Sequence, residues 1–407
     1  MTALHRTLLR QAQRPAAPQG HLTYLIGPPG TGKTAHLTAL ADALTSPTQR
    51  AYRLDLLAYL PDTTPLDTLE LLLLVAVALA DRLSKPDALG HADPFEPIDP
   101  ALQALSHWLV TEAELDCVTP GVLYTEFQRR ANGLLRPLRA LDPDRREPMA
   151  HDLRQLIGQM VLALKTRHQL RSVVLLVDSL ERLRAPGQAL ERVMARLLAV
   201  FDHDLPLLRL PHAATVYSVS PALAAWPHLA NLADACFWHG ARPVHHPGNR
   251  APDETVLAEL RATAEPEWPE AQALDAATWH TLLCASGGQI GVLHRLLSDT
   301  LDAFDDQPDL SAALPALLAR HADALWSPLL PEDHALLRRV HQHQTLSLAH
   351  ADDRPRLAAL LESQALLAYR NAAGQQWFDA HPLLWPLVSV PMPAPVPDEA
   401  GDNPPSN

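Results

Sequence analysis

The stretch from His21 to Thr45 constrains what this chain can fold into more than any other segment. It reads as a buried strand, Leu22 to Ile26, then the loop GPPGTGKT, then a helix opening at Lys33. The loop residues Gly27, Pro28, Pro29, Gly30, Thr31, Gly32, Lys33 and Thr34 fit the pattern G-x-x-x-x-G-K-[ST]. In that pattern successive backbone N–H groups surround nucleotide phosphates at the positive end of a helix. Lys33 then reaches the β and γ phosphates of ATP, and Thr34 ligates Mg²⁺. A plain Gly/Pro turn is the competing reading, and the strand before it and the helix after it count against that.

A strand of this kind needs parallel neighbours, and the sequence offers them. A short strand is expected at Arg50 to Leu57. Pro65 then opens a long helix, Leu66 to Leu83, whose nearly continuous leucine face predicts burial on several sides. Between Pro86 and Gln169 strand signal fades, and helical spacing recurs at about 100–115, 120–141 and 149–168. This reads as a helical insertion, in which Arg129, Arg130, Arg136 and Arg139 form either a phosphate-reading face or a solvated helix surface. The alternation of strand and helix outside it predicts an α/β P-loop fold with a parallel sheet flanked by helices.

In RSVVLLVDSLERL, Val173 to Val177 form an apolar run of buried-strand type ending in Asp178. An acid at such a strand end holds Mg²⁺ directly or through water, so Asp178 joins Thr34 as a candidate metal ligand. Glu181 follows, placed either to activate the attacking water or to cap the next helix. The strand Ala213 to Ser220 ends in hydroxyls. There Ser218 or Ser220 either touches the γ phosphate or caps the helix from Ala222. Further strands are expected at about Ala235 to His239 and at Ala241 to His245, then a helix from Glu254 to Thr263.

The nucleotide core therefore spans 1–250, with the insertion at about 86–169. A helical lid follows over 251–325, as a helix from Pro269 to Ala285, the break SGGQIG, and a helix to Phe304. Arg295 lies in that last helix and either reaches phosphate from above or sits on the surface. Residues 326–390 carry helices at Glu332–His343 and Asp353–Ser363, then strands at Ala365–Arg370 and Gln375–Phe378 around Asn371–Gly374. Helices followed by a hairpin make a winged-helix pattern. The tail, 391–407, is rich in Pro, Asp, Asn and Ala and is expected to be disordered.

Charge bears on partners. Lys and Arg total 33 against 46 Asp and Glu, and a net charge of −13 opposes broad attraction to nucleic acid or acidic membranes. The cysteines Cys117, Cys236 and Cys284 are odd in number and far apart, which argues for neither a disulfide framework nor a zinc site and fits a reducing cytoplasm. The 21 histidines include no helical i, i+4 pair with an acid, so no hydrolytic zinc site is expected. The longest apolar run, Leu71 to Ala80, is too short for a membrane span, and the N-terminus lacks a signal-peptide apolar core.

Taken together, GPPGTGKT, the leucine-rich helix, VVLLVDSLERL, ATVYSVSP, the SGG break and the ending LLESQALLAYRNAAGQQWFDAHPLLWPLV resemble a bacterial STAND-type ATPase of the AAA+ and STAND branch of P-loop proteins. The placement of Glu181 is similar to STAND proteins, whereas typical AAA+ proteins put a glutamate where this chain has Ser179. SGGQIG departs from relatives that carry Arg or Pro just after the glycines, which bears on Arg295 as a phosphate sensor. The resemblance implies a core that closes on ATP beneath a lid and a winged helix. It also implies a slowly hydrolysing switch in signalling or phage defence, working through a protein partner or homo-oligomer. Arg182 and Arg184 follow the second acidic motif, and nothing local assigns them as fingers across a subunit interface. An AAA+-like DNA loader or transposition regulator, and a nucleotide-binding scaffold without turnover, are the alternatives.

Overall fold

The computed structural model describes residues 3–14, 18–59, 66–85, 99–112, 138–180, 195–196, 199–201, 203–226, 232–306, 310–346 and 353–389. Glu181, Arg129, Arg130, Arg136, Arg182, Arg184, nearly all of the helix expected at 120–141 and the tail 391–407 lie outside the described residues.

Parallel strands β1 (His21–Ile26), β2 (Gln49–Asp55), β3 (Ser172–Asp178), β4 (Ala213–Val219) and β5 (Ala235–Trp238) form one sheet in the order β2-β3-β4-β1-β5. β3 and β4 are buried along their whole length, which is why their sequences run apolar without alternation. Successive β3 residues still serve opposite faces. Val174 and Leu176 pack with α1 (Ala3–Ala12) and α2 (Lys33–Leu44), through Leu8, Leu37 and Leu40. Val173, Leu175 and Val177 join the cluster of α3 (Thr68–Leu83), α4 (Pro100–Thr111) and α5 (Pro143–Arg167).

α3 matches the leucine-rich expectation, with every residue from Thr68 to Asp81 buried. Its start is fixed by a capping box in which the Asp67 side chain accepts from Glu70 N at 2.9 Å and Glu70 accepts from Asp67 N at 3.2 Å. Glu70 is also held by Arg139 at 2.7 Å, which gives that arginine a structural partner. Burial raises the Glu70 pKa against the opposing pull of Arg139.

Some expected boundaries move for local reasons. β2 stops at Asp55, whose side chain accepts from Leu57 N and caps a 3-10 turn at Leu56–Ala58. Ala241–His245 is no strand, since Pro243 interrupts it and only isolated bridges form, from Ala241 to Tyr369 and from His245 to Pro252. Pro269–Ala285 divides into a 3-10 turn, Pro269–Ala273, and a helix that Asp275 caps. α5 begins at Pro143, ahead of the apolar spacing, because its first turn is polar and exposed.

After the sheet come α6 (Glu254–Ala264), α7 (Ala276–Ala285), α8 (Ile290–Asp306) and α9 (Leu310–Trp326). α10 (Pro331–His343) and α11 (Arg354–Glu362) then lead into an antiparallel hairpin of β6 (Leu366–Arg370) and β7 (Gln376–Ala380). Ala241 N donates to Ala368 O at 3.2 Å, which docks the hairpin on the chain leaving β5. Buried Asp379 gathers Arg250 at 2.8 Å, Gln344 at 2.7 Å and His341 at 2.5 Å, so the C-terminal elements are tied to the loop before α6. Among the described residues no helix is long and apolar enough to cross a membrane.

Candidate nucleotide site

The loop Gly27–Gly32 joins β1 to α2 at the carboxyl end of the sheet, where β1 lies between β4 and β5. Ligands of open α/β sheets bind at such an edge. Gly27 has no room for a side chain, because a Cβ there would stand 2.1 Å from His239 O. Gly32 begins α2 at φ 88°, a left-handed conformation that other residues adopt only at a cost, and it brings no capping side chain. The first-turn N–H groups of α2 are therefore not covered by their own N-cap.

The loop carbonyls, by contrast, are taken one after another by donors of the protein. Lys33 is 2% exposed, and its Nζ donates to Gly27 O at 2.7 Å and Pro28 O at 2.5 Å. Gln364 Nε2 donates to Pro29 O at 3.0 Å, and Gly291 N approaches Gly30 O at 3.5 Å. His239 Nε2 meets Thr31 O at 2.8 Å, and His36 N donates to Gly32 O at 3.0 Å. A carbonyl only accepts, so Nε2 of His239 carries a proton. Burial, then neighbouring His36 with its ring centroid 4.3 Å away, lowers the His239 pKa to about 3. The imidazole is neutral at ordinary pH and holds the loop as a hydrogen-bond donor.

Asp178 ends β3 with its side chain fully buried, in register with Asp55 at the end of β2. Arg53 donates to Asp178 Oδ2 at 2.8 Å and to Asp55 Oδ2 at 3.1 Å, and Ser179 N donates to Asp178 Oδ1 at 2.8 Å. Ser179 takes φ 79°, unfavourable for a non-glycine residue by about 1–3 kcal/mol. Thr34 stands half-buried in the first turn of α2. Its hydroxyl and the Asp178 carboxylate are hard oxygen donors, the chemistry that suits Mg²⁺.

Ser218 is buried within β4, and Ser220 follows the strand. Ser220 caps the 3-10 turn Pro221–Ala225 by accepting from Ala222 N at 3.0 Å, as one of its readings required. It also donates to Glu362 Oε2 at 2.5 Å, a contact that nothing near Ser220 in sequence announces. Arg295 is exposed on α8. Its charge bears on buried His381, whose pKa falls to about 3, through burial first and Arg295 second.

Sequence reasoning singled out the loop, Asp178 and the serines as candidates, but not Arg53, His239, Glu362 and Gln364, which contact them. The signal for Arg53 was its place on the strand before the helix, facing an acid on the neighbouring strand; the others have no local signature.

No curated protein matches the chain. A structural comparison pairs 93% of it with 88% of the ORC2 protein of Aeropyrum pernix, solved as ADPNP–ADP complexes, at 12% identity and a TM-score of 0.37. The AAA ATPase domain matches residues 3–208, which take in the loop, Asp178 and just over half of the chain. The chain belongs to the AAA ATPase domain family.

Proposed function

We propose that this chain is a nucleotide-dependent switch of the STAND type, which binds Mg-ATP, hydrolyses it slowly and signals its state through a C-terminal winged helix formed by α10, α11 and the β6–β7 hairpin. The observation that carries this reading is the contact of that module with the loop itself. Gln364 donates to Pro29 O at 3.0 Å, and two residues earlier Glu362 accepts from Ser220 at the tip of β4 at 2.5 Å. A change in the loop on binding phosphate therefore acts directly on the module.

On this reading Lys33 leaves the carbonyls of Gly27 and Pro28 to meet the β and γ phosphates. Thr34 and Asp178 would hold Mg²⁺, whose charge offsets the negative charge of the phosphates. Arg53 must loosen its hold on Asp178 as that happens. Glu181 is the proposed general base. Of the arginines of α10 and α11 that would favour a DNA loader (Arg338, Arg339, Arg354 and Arg356), two are engaged within the module: Arg339 pairs with Asp353 at 2.8 Å, and Arg356 with Asp333 at 3.2 Å and Glu332 at 3.6 Å. This supports a protein partner or a second copy over a phosphate backbone.

The test is ATP titration with hydrogen exchange as readout. Wild-type protein should bind ATP and change amide protection across Leu361–Arg370, whereas Lys33→Ala should do neither. Gln364→Ala should bind ATP and show little further change there. Binding by Lys33→Ala with wild-type affinity would sink the site assignment, and an unchanged Leu361–Arg370 in ATP-bound wild type would sink the switch.

A further inference from the structure

We propose that Gln289 reads the base of the nucleotide, its carboxamide pairing with the donor–acceptor edge of adenine; this rests on the ATP reading above. Gln289 immediately precedes α8, after a tight turn. In that turn the hydroxyl of buried Ser286 donates to Leu283 O at 2.6 Å and accepts from Gly288 N at 3.1 Å. Gly288 O accepts from Arg242 N at 3.1 Å, on the chain leaving β5, and Gly291 N approaches Gly30 O of the phosphate loop at 3.5 Å. The residues on either side of Gln289 are thus fixed to the two segments that flank the end of β1.

Gln289 is 1% exposed, yet neither Nε2 nor Oε1 has a hydrogen-bond partner among the described residues. Its backbone is fully used: N donates to Ser286 O, and O accepts from Val292 N and Leu293 N. A buried amide with both ends unpaired is costly, and leucine would fill the same space without that cost. The orphaned pair therefore calls for a ligand that supplies one acceptor and one donor side by side. Phosphate supplies acceptors only and would set its oxygens against Oε1. A lone cation supplies no acceptor for Nε2. The exocyclic amino group of adenine beside a ring nitrogen supplies both, in the two parallel bonds that glutamine makes with this base elsewhere.

The experiment compares Mg-ATP with purine riboside triphosphate, which lacks the amino group, on wild-type protein, Gln289→Leu and Gln289→Met. Wild type should favour ATP by about tenfold, the worth of one such hydrogen bond. Both variants should bind the two nucleotides about equally. Without nucleotide both should melt at or above the wild-type temperature, since the orphaned amide is gone. A wild type that binds both nucleotides equally, variants that keep the preference, or a lower melting temperature in both variants would each overturn the proposal. Failure of wild type to bind either nucleotide would remove the ATP site, and this inference with it.

Discussion

Acidification should weaken the fold through His239 by an amount that can be worked out beforehand. His239 is 8% exposed, and burial with the nearby His36 holds its pKa at about 3 in the folded chain. In the unfolded chain it should titrate near the ordinary value of about 6.5. The folded pKa lies below the unfolded one, so the unfolded state binds more protons between them. The stability that rests on the neutral ring is complete above about pH 6.5 and is lost progressively as the pH falls from there towards 3. At about pH 5, some 1.5 units into that window and at about 1.4 kcal/mol per unit, the loss is about 2 kcal/mol. His381, also held at about 3, adds a separate loss of similar size. Urea unfolding at about pH 7.5 and pH 5 measures the sum, and His239→Gln isolates one part, because glutamine still donates but does not titrate. Wild type should lose about 2 kcal/mol more than His239→Gln over this interval. Equal losses in the two proteins would refute the reasoning and would mean that His239 takes up its proton as readily in the folded chain as in the unfolded one.

Two further outcomes test the strand ends. Arg53→Met should cost about 1–3 kcal/mol in urea unfolding at neutral pH, below the value for a fully buried pair because Arg53 is 29% exposed. Asp178→Asn should lose Mg-dependent ATP affinity, whereas Glu181→Gln should keep affinity and slow single-turnover hydrolysis by about 10²; unchanged hydrolysis in the latter would leave Glu181 a helix cap.

The parts of the fold that were legible are those whose cause is local. GPPGTGKT states its turn, its glycines and its helix start in consecutive residues, and α2 begins at Lys33 as read. The apolar run before Asp178 needs only its own length and flanks to be a buried strand, and β3 ends on that residue. The hairpin β6–β7 reads as two short strand runs around the turn Asn371–Gly374, and the strands pair as β6 and β7. α9 was not anticipated, because Pro315 lies inside it and reads as a breaker when the neighbours that hold the helix are unknown. Arg53, His239 and Gln364 belong to another kind of fact. Their partners are 125, 208 and 335 residues away, and only the order β2-β3-β4-β1-β5 and the docking of the C-terminal module bring them together.

These distant contacts explain how an ordinary glycine-rich turn is held in a shape suited to anions. Each backbone unit of the loop carries an acceptor and a donor pointing in roughly opposite directions, except those that end on Pro28 and Pro29, which have no N–H. From Gly27 to Gly32 every carbonyl meets a protein donor, drawn in turn from Lys33, Gln364, Gly291, His239 and His36. Fixing the carbonyls on the protein side fixes the direction in which the remaining N–H groups point, and this makes a nest for anions. Because the donors come from α2, the chain after β5, α8 and the segment following α11, the shape of the loop depends on where all four stand. On the proposed reading, a phosphate that draws Lys33 away from Gly27 and Pro28 leaves Pro28 O to the Thr31 hydroxyl, which donates to it at 2.9 Å, and the distant donors hold the rest. The same linkage works in reverse: displacing Gln364 frees Pro29 O to rotate and disturbs the nest. On the proposed reading, coupling between nucleotide and C-terminal module needs no relay through the core, since the module supplies one of the bonds to the loop.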